Sequence, residues 1–360
     1  MVPITSNFRT DAPMHPKARE TFLQAVDQGW HDPRKLGHQS AKTAILRQEA
    51  LSSIAGHLGV NISEVEVIGE PALATFYAIQ GLLRAGDHLL HSAIDRKEVH
   101  AIAQSWPSVS QMSILPNGKI ALEELERSAN NHHGVFALQV ANGETGVIQD
   151  IEKLVSNCDQ FQIACDYTQV LVSLPLPSRW STASYSASTW QGPTGVGIIV
   201  INKQARWENP LPHIGIERTP NSVSLPLLLA SAIALDEWSK DKEAQSQRLR
   251  AMNVKVRNGI SQIENAFIAG NLEESMENLI SASFLDVEGE ELLRALELEG
   301  ICVDSGSACS SDNLRPSHVL GAMGMLTHGN VRITLHSAIG ENEVDRLIEA
   351  ITRNVAALRS

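Results

Sequence analysis

Three segments of the chain hold side chains that are able to do chemistry. Asp166 ends an apolar run of strand length, Cys309 lies in the small-residue segment GSACSS, and Arg332 lies in the β-branched segment VRIT. A carboxylate pairs with a cationic ring nitrogen, a thiolate is a nucleophile, and a guanidinium binds a carboxylate through two hydrogen bonds. Simpler explanations stay open: a strand-end cap for Asp166, an inert loop residue for Cys309 and a surface ion pair for Arg332.

Composition limits the classes of partner. The 360 residues carry a net charge of −12 and no long run of Lys or Arg. Nucleic-acid and anionic-membrane partners are therefore not expected, because no basic field attracts phosphate. The longest apolar run, 225–235, is about half of the roughly 20 residues that a membrane helix needs. The segment MVPITSNFRTDAP lacks the apolar core of a secretory signal, and with only four cysteines the sequence predicts a cytoplasmic protein.

Short apolar runs alternate with segments of helical periodicity through the first two thirds of the chain. Uncharged strands of this kind are typical of a parallel sheet that is covered on both faces. The alternation predicts an α/β fold with a mainly parallel sheet sandwiched by helices. The predicted strands are 64–68, 87–92, 112–115, 135–140, 163–166 and 196–202, and the predicted helices between them are 40–58, 72–83, 122–129 and 151–158.

The last third of the chain has a different character. A long helical connector is predicted over 225–250, followed by strands at 280–287 and 331–335 and by helices at 290–298 and 341–358. We predict two domains from this change. The large α/β domain comprises residues 12–249, and a smaller α+β domain comprises residues 1–11 and 250–360 and carries the Cys309 loop.

Six segments, in order and at suitable separations, resemble the cysteine desulfurases, which are class V aminotransferase proteins that use pyridoxal phosphate (PLP). The resemblance extends from about Arg9 to Leu358. It implies the PLP-dependent transferase fold of the aspartate aminotransferase type, and a homodimer whose active sites are lined by both subunits. The segments are ANGETGVIQDI (141–151), ACDYTQVLVSLPL (164–176), SASTWQGPTGVGIIVIN (186–202), GICVDSGSACSS (300–311), RPSHVLGAMG (315–324) and VRITLHSAIGENEVD (331–345).

The resemblance implies roles for individual residues. Asp166 matches the family's partner of the pyridinium nitrogen, and Gln169 follows it at the matching offset. Cys309 matches the cysteine that accepts sulfur and becomes a persulfide, and Arg332 matches the arginine that grips the substrate carboxylate. The remaining implied contacts are Asn142 for the substrate and Ser186 and Ser224 for the cofactor.

The segments that would bind the cofactor depart from the family pattern. The lysine of S-G-H-K is Thr189 here, and a hydroxyl cannot form an imine. No lysine occurs over 154–202, so we expect none near the cofactor position. The phosphate-binding S-G-A-T is GEPA, in which Glu70 repels phosphate and Pro71 lacks a backbone donor. Three further departures are Arg96 for the ring-stacking histidine, Gly143 for the second asparagine of N-N-E-x-G, and the segment 221–224 for R-S-G-T.

These departures favour a desulfurase homologue without PLP-dependent catalysis. This hypothesis predicts no bound PLP and a role as partner, regulator or sulfur acceptor, through Cys309, in sulfur transfer or iron–sulfur cluster assembly. The expected partners are a second copy of the chain, an active desulfurase in a heterodimer, or a sulfur-acceptor or iron–sulfur scaffold protein. The alternative is an active PLP-dependent cysteine desulfurase, or a related class V enzyme, with an unusual cofactor site.

Two other hypotheses concern the pocket in which the family binds PLP. Asp166, Arg332 and His336 would form a new site for some other small ligand, at the junction of two domains where such sites are common. A paralogue that is losing its function would instead leave Cys309 as an inert relic. The tryptophans are expected to be packing anchors, with one alternative for Trp190: directly after Thr189, its ring could fill the space that PLP would occupy.

Overall fold

The computed structural model describes residues 4–10, 13–29, 31–170, 174–214, 218–219, 224–305 and 316–360. Cys309 lies outside the described residues, so its predicted role is not tested by the fold. The strands, in chain order, are β1 (Ser6–Phe8), β2 (Val65–Ile68), β3 (His88–Ser92), β4 (Val109–Met112), β5 (Gly134–Gln139), β6 (Phe161–Tyr167), β7 (Thr182–Ser186), β8 (Gly197–Ile201), β9 (Ala266–Ile268), β10 (Leu279–Phe284), β11 (Ile301–Val303) and β12 (Asn330–Thr334).

Helices fill most of the connections between the strands. No helix among the described residues is long and apolar enough to cross a membrane. The helices are α1 (Pro16–Gln28), α2 (His38–Leu58), α3 (Pro71–Gln80), α4 (Lys97–Ser105), α5 (Leu122–Asn131), α6 (Ile151–Ser156), α7 (Leu225–Lys240), α8 (Lys242–Ile260), α9 (Gly289–Leu298), α10 (His318–Ala322) and α11 (Glu341–Leu358).

Seven strands form the central sheet in the spatial order β2-β8-β7-β6-β5-β3-β4. The pairs from β4 through β3, β5 and β6 to β7 are parallel, which confirms the predicted α/β class with a mainly parallel sheet. β8 runs antiparallel to both of its neighbours. Its continuous apolar sequence predicted a buried strand but held no information on direction.

Helices cover both faces of this sheet, and the alternation along β5 shows it. Val135 and Ala137 pack in a cluster with residues of α3 and α4. Phe136 and Leu138, which point to the opposite face, belong to the large core that includes residues of α2, α5 and α7. Because both faces are buried, the strand reads as one apolar run without polar alternation.

The carboxyl ends of the parallel strands position the chemically capable residues. Asp95 follows β3, Asn142 follows β5, Asp166 lies at the end of β6, and Thr189 follows β7. Since parallel strands end at the same edge of a sheet, these four residues are brought to one edge although they are far apart in sequence. The register places Gln139 of β5 directly opposite Asp166 of β6.

A smaller sheet and a strand pair are built from the end of the chain. β12, β10 and β9 form an antiparallel sheet, and β1 pairs in parallel with β11. β1 therefore ties the beginning of the chain to its last third. The predicted domain boundary at residue 249 falls inside α8, and the division into two domains stays a prediction.

Several parts of the fold were not predicted correctly. The strand expected at 112–115 is Val109–Met112, and the helices α1 and α4 were not predicted. The connector predicted over 225–250 is two helices, α7 and α8, separated by Asp241 alone. β7 was missed because its sequence, TASYS, shows neither an apolar run nor a polar alternation, yet all five of its residues are buried. Its hydroxyls are satisfied internally, since Thr182 Oγ1 donates to the Ala78 carbonyl at 3.0 Å and Ser184 Oγ lies 3.4 Å from Thr75 Oγ1.

The start of β5 depends on a glycine, which gives a stability prediction. A Cβ at Gly134 would lie 2.1 Å from the carbonyl oxygen of His88 on the neighbouring strand. We expect Gly134→Ala to lower the free energy of unfolding by at least about 2 kcal/mol. Gly56→Ala is the matched control, because it lies on an exposed face of α2 with free space around it and should stabilise by about 0.5–1 kcal/mol.

Thermal unfolding followed by circular dichroism measures both variants. A Gly134→Ala protein that melts together with the Gly56→Ala protein would contradict the packing described for β3 and β5.

Candidate functional site

A cavity of about 560 Å³ opens at the carboxyl edge of the central sheet, beside the 3₁₀ turn Ala187–Trp190. Residues near the ends of β10 and β12 face it from the other side. Its size is that of a site for a small organic ligand. Of the residues predicted for the site, four line the cavity: Asn142, Gln169, Thr189 and Arg332. Three others do not line it: Asp166, Ser186 and Ser224.

Asp166 lies immediately behind the cavity wall. Asp95 and Gln139 line both the cavity and the small pocket that contains Asp166. Its Oδ1 accepts from Thr168 N at 2.8 Å and from Thr168 Oγ1 at 2.5 Å, whereas its buried Oδ2 has no partner among the described residues. A buried acceptor without a partner costs about 1–3 kcal/mol. This oxygen fits a cationic ring nitrogen, as the resemblance implies.

Arg96 brings a positive charge close to this carboxylate. Its guanidinium donates to the hydroxyl of Thr168, the residue that also bonds Asp166. Its Nε lies 3.3 Å from the Glu98 carboxylate. A protein cation therefore lies close to Asp166, joined to it through Thr168, and would compete with a cationic ring nitrogen for the same negative charge.

The turn after β7 does not provide an anchor. Thr189 Oγ1 donates to the Ser186 carbonyl at 2.8 Å, and Ser186 Oγ lies 2.7 Å from Ser188 Oγ. The predicted cofactor contact of Ser186 is not tested by these bonds, nor is that of Ser224, which precedes α7. Both stay predictions.

The prediction that Trp190 fills the cofactor space is wrong. The indole is fully buried in the core, and its Nε1 donates to the Ser231 carbonyl of α7 at 3.1 Å. Successive residues of a 3₁₀ turn are rotated by about 120°. Because Thr189 faces the cavity, the next residue faces away from it.

The amino end of α3 already holds a carboxylate. Glu70 precedes the helix, and its Oε1 accepts from Ala72 N at 3.4 Å. Pro71, the first helical residue, has no N–H to offer. A helix amino end attracts phosphate through free N–H groups and a partial positive charge, and here the Glu70 carboxylate uses one and offsets the other.

The expectation that no lysine is near the cavity is wrong. Lys97, the exposed first residue of α4, lines it. It enters from the end of β3, whereas the sequence argument covered only the segment around β7 and Thr189. The residues present do not fit PLP anchored at the family position, because Thr189 offers no amine and Glu70 opposes the phosphate; Asp166 alone fits.

Arg332 is held in a partly buried ion pair. Its Nη2 lies 3.0 Å from Asp304 Oδ2 and also donates to Thr10 Oγ1, while its Nη1 donates to the Gly143 carbonyl. Burial acts to raise the pKa of Asp304, but the Arg332 charge and hydrogen bonds from Thr10 outweigh it, and the pKa is lowered. The ion pair considered in the sequence exists, although it is partly buried rather than on the surface. A ligand carboxylate at Arg332 has to compete with Asp304.

The loop after β5 is stabilised by Asn142. Its Nδ2 donates to the Ile94 carbonyl and to Gln139 Oε1, and its Oδ1 accepts from the backbone of the two residues after Gly143. Its predicted substrate contact stays a prediction, but its carboxamide is already engaged. Residue 143, next to Asn142, is a glycine because the Gln169 side chain packs against it: a Cβ at this position would lie 2.7 Å from Gln169 Cγ.

The sequence argument missed Asp95, which is the most perturbed carboxyl group at the site. It is 2% exposed, and its Oδ2 accepts from Ser92 N at 2.6 Å. Burial first, and then the nearby Asp166 charge, raise the pKa of Asp95 to about 8 against the opposing hydrogen bond from Ser92. The only signal in the sequence was its position three residues after an apolar strand, which is shared by many loop residues.

Histidines surround this carboxyl group. His91 Nδ1 lies 3.7 Å from Asp95 Oδ2, and His318 Nε2 donates to the Asp95 carbonyl at 3.0 Å. Burial and the neighbouring His100 lower the pKa of His91 to about 4. Both the acid and the adjacent imidazole are therefore held in their neutral forms near pH 7.

Comparison with known sequences supports the family resemblance over nearly the whole chain. Residues 31–347 match the family model described as aminotransferase class-V. The cysteine desulfurase IscS of Pectobacterium carotovorum is 29% identical over 383 aligned positions, covering 99% of this chain and 94% of the relative. The cysteine desulfurase IscS of Photorhabdus laumondii is 28% identical with the same coverage.

Solved structures share the fold at low sequence identity. A NifS-like protein from Rickettsia africae superposes with a TM-score of 0.88 at 17% identity, covering 98% of this chain and 99% of that one. The apo structure of a cysteine desulfurase from Thermococcus onnurineus superposes with a TM-score of 0.83 at 16% identity, covering 98% and 95%. These matches confirm the predicted fold.

The raised pKa of Asp95 gives a pH prediction. A carboxyl whose pKa is about 8 in the folded protein and 3.8 when unfolded binds its proton more tightly when folded. Its stabilising effect is complete below pH 3.8 and is lost as the pH rises through 8. The loss is at most about 1.4 kcal/mol per pH unit.

Asp95→Asn keeps the shape without the titration. Melting temperatures measured at pH 5 and pH 8 should fall more for the wild type than for this variant. Equal shifts in the two proteins would mean that Asp95 is ionised in the folded state.

Proposed function

Because the chain belongs to the aminotransferase class-V family, we propose that it is a cysteine desulfurase-like protein that works without Schiff-base catalysis. Its role is that of a partner, regulator or sulfur acceptor in sulfur transfer or iron–sulfur cluster assembly. The observation that carries this proposal is Thr189, which lines the cavity where an amine is required and whose hydroxyl donates to the Ser186 carbonyl.

The surroundings of the cofactor position support the proposal independently. The Glu70 carboxylate on Ala72 N places negative charge where a phosphate dianion would bind. Arg96 places positive charge beside Asp166, where a ring nitrogen would become protonated. Each charge has the same sign as the ligand group it would meet, so both oppose PLP in addition to the missing amine.

In this proposal Cys309 is the cysteine whose thiolate accepts sulfur. The described cysteines Cys158, Cys165 and Cys302 are buried. Burial raises the pKa of the Cys158 thiol to about 12 and also raises that of Cys165, which removes the thiolate needed for attack. The case for Cys309 itself rests on the family resemblance of its segment.

The sulfur step needs no external oxidant. The Cys309 thiolate attacks the terminal sulfur of a persulfide on a partner desulfurase. The sulfur–sulfur bond of the donor breaks, its cysteine leaves as a thiolate, and Cys309 becomes the persulfide. In this arrangement the chain forms a homodimer, or a heterodimer with the active desulfurase, and passes sulfur to an acceptor or scaffold protein.

One alternative function is favoured by a specific observation. Lys97 lines the cavity and offers an amine from the end of β3. An active PLP-dependent desulfurase, or a related class V enzyme, would then be anchored at an unusual position. Asp166 Oδ2, which has no partner among the described residues, agrees with this alternative as well.

Cofactor binding separates the two functions. We expect the purified wild type, after incubation with PLP and removal of the unbound cofactor, to show no visible absorption band, since it has no amine at residue 189. Thr189→Lys combined with Glu70→Gln and Arg96→His should form the band and bind PLP at least about tenfold more tightly than Thr189→Lys alone, because two opposing charges are removed.

Borohydride reduction and peptide mapping provide the control. A wild-type protein that forms the band, carries the reduced cofactor on Lys97 and loses it in Lys97→Arg would overturn the proposal in favour of the alternative.

Sulfur transfer is tested with an active cysteine desulfurase and cysteine. Mass spectrometry should find one added sulfur atom on Cys309, absent from Cys309→Ser and retained in Cys158→Ser, since Cys158 is buried. Sedimentation of the mixture measures the complex of the two proteins. If the proteins sediment separately and Cys309 carries no sulfur, the role as partner and acceptor is excluded.

A further inference from the structure

Asp304 and Arg332 are held opposite each other by the backbone as well as by their charges. Asp304 N donates to the Arg332 carbonyl at 3.0 Å, and Arg332 N donates to the Asp304 carbonyl at 2.8 Å. These two bonds form an antiparallel bridge between the residue that follows β11 and the middle residue of β12. Side chains of residues that are paired in this way lie on the same face and are close together. The fold therefore places the Asp304 carboxylate next to the Arg332 guanidinium.

The Arg332 guanidinium has five N–H donors, and the chain uses those that a ligand carboxylate would need. Nη2 donates to Asp304 Oδ2 at 3.0 Å and to Thr10 Oγ1 at 3.3 Å, so both of its N–H groups are bonded. Nη1 donates to the Gly143 carbonyl at 3.4 Å, and Nε is buried beyond the reach of a ligand. One N–H of Nη1 is left, whereas arginine binds a carboxylate strongly through two parallel N–H groups.

Asp304 keeps its negative charge in this position. Its Oδ2 also accepts from Thr10 N at 2.9 Å and from Thr10 Oγ1 at 2.7 Å. Burial acts to raise the pKa of Asp304, but the Arg332 charge and these bonds outweigh it, and the pKa is lowered. The carboxyl group is therefore ionised near pH 7. Because it belongs to the same chain as Arg332, it does not lose the translational freedom that a free ligand loses on binding.

A second acidic residue lies near the same guanidinium. Glu144 lines the cavity, as Arg332 does. Burial raises the pKa of the Glu144 carboxyl, against a hydrogen bond from Ser317 and the positive charge of Arg332. A ligand carboxylate at Arg332 would be the third acidic group around one cation. Its binding is therefore opposed by charge as well as by the shortage of free donors.

We infer that Asp304 is a specificity-determining residue of the cavity, because it occupies Arg332 as an internal carboxylate and excludes ligands that bind through a carboxylate. Ligands without a carboxylate group are not excluded by this pair. The inference goes beyond the proposed function and does not rest on it, since it concerns neither Thr189 nor Cys309. Its test uses neither PLP nor sulfur, so the inference and the proposed function can fail separately.

Acetate is the probe, because it offers a carboxylate and only a methyl group besides. Its affinity for the full chain is measured from the rise in melting temperature as acetate replaces chloride at constant ionic strength. Asp304→Asn keeps the shape of the side chain and removes its charge. We expect this variant to bind acetate at least about tenfold more tightly than the wild type, since a charge-assisted pair becomes available to the ligand.

Two further variants show where the acetate binds. Asp345→Asn is the matched control, because it makes the same change at a surface carboxylate that is paired with Lys255 and does not line the cavity. Its acetate affinity should equal that of the wild type. The double variant Asp304→Asn/Arg332→Gln should also return to the wild-type affinity, because the guanidinium released by the first substitution is removed by the second.

Three outcomes overturn the inference. They are a wild type that binds acetate as tightly as Asp304→Asn does, a gain in affinity that Asp345→Asn shares, and a gain that persists in the double variant. If Asp304→Asn does not fold, Asp304→Ala replaces it. If neither variant folds, the wild type is compared with Arg332→Gln, and tighter acetate binding by the wild type shows that Arg332 is open to ligands despite Asp304.

Discussion

The site depends on one buried carboxylate, Asp166, at the carboxyl edge of the central sheet. Thr168 holds one of its oxygens with two hydrogen bonds, and the other oxygen has no partner among the described residues. Burial and, after it, the Asp166 charge raise the pKa of Asp95, so Asp95 keeps its proton to about pH 8. Arg96 bonds Thr168 and brings a positive charge close to Asp166. Loops that follow four strands thus meet around this carboxylate.

Around this carboxylate, groups suited to binding ligands of opposite charge are occupied by the chain itself. Arg332 is paired with Asp304, and Arg96 is paired with Glu98. At the amino end of α3, the backbone N–H of Ala72 donates to the Glu70 carboxylate. Such internal partners act at a high effective concentration, so a free ligand competes with them at a disadvantage.

The sequence predicted the fold and the main features of the site where local pattern and position agree. Apolar strands identified most of the sheet, and Asp166 was located because it ends one of them, whereas Thr189 was located by the family resemblance of its segment. Lys97 and Asp95 were missed because their importance comes from β3 lying near β6 in space, which no local pattern records. β7 was missed because its burial is balanced by hydroxyl bonds rather than by apolar side chains. The Trp190 side chain points into the core because residues 187–190 form a 3₁₀ turn, and the identity of residue 190 alone did not predict that turn.

The parallel pairing of β1 with β11 has a mechanical consequence. Beyond β1, Thr10 donates its backbone N–H and its hydroxyl to Asp304 at 2.9 and 2.7 Å, and Asp304 in turn holds Arg332. Residues 4–10 therefore help to hold the arginine in place. Displacement of β1 would remove two donors from Asp304 and change the surroundings of its ion pair with Arg332. It would also break the pairing of β1 with β11, so the amino-terminal segment is mechanically coupled to the last third of the chain.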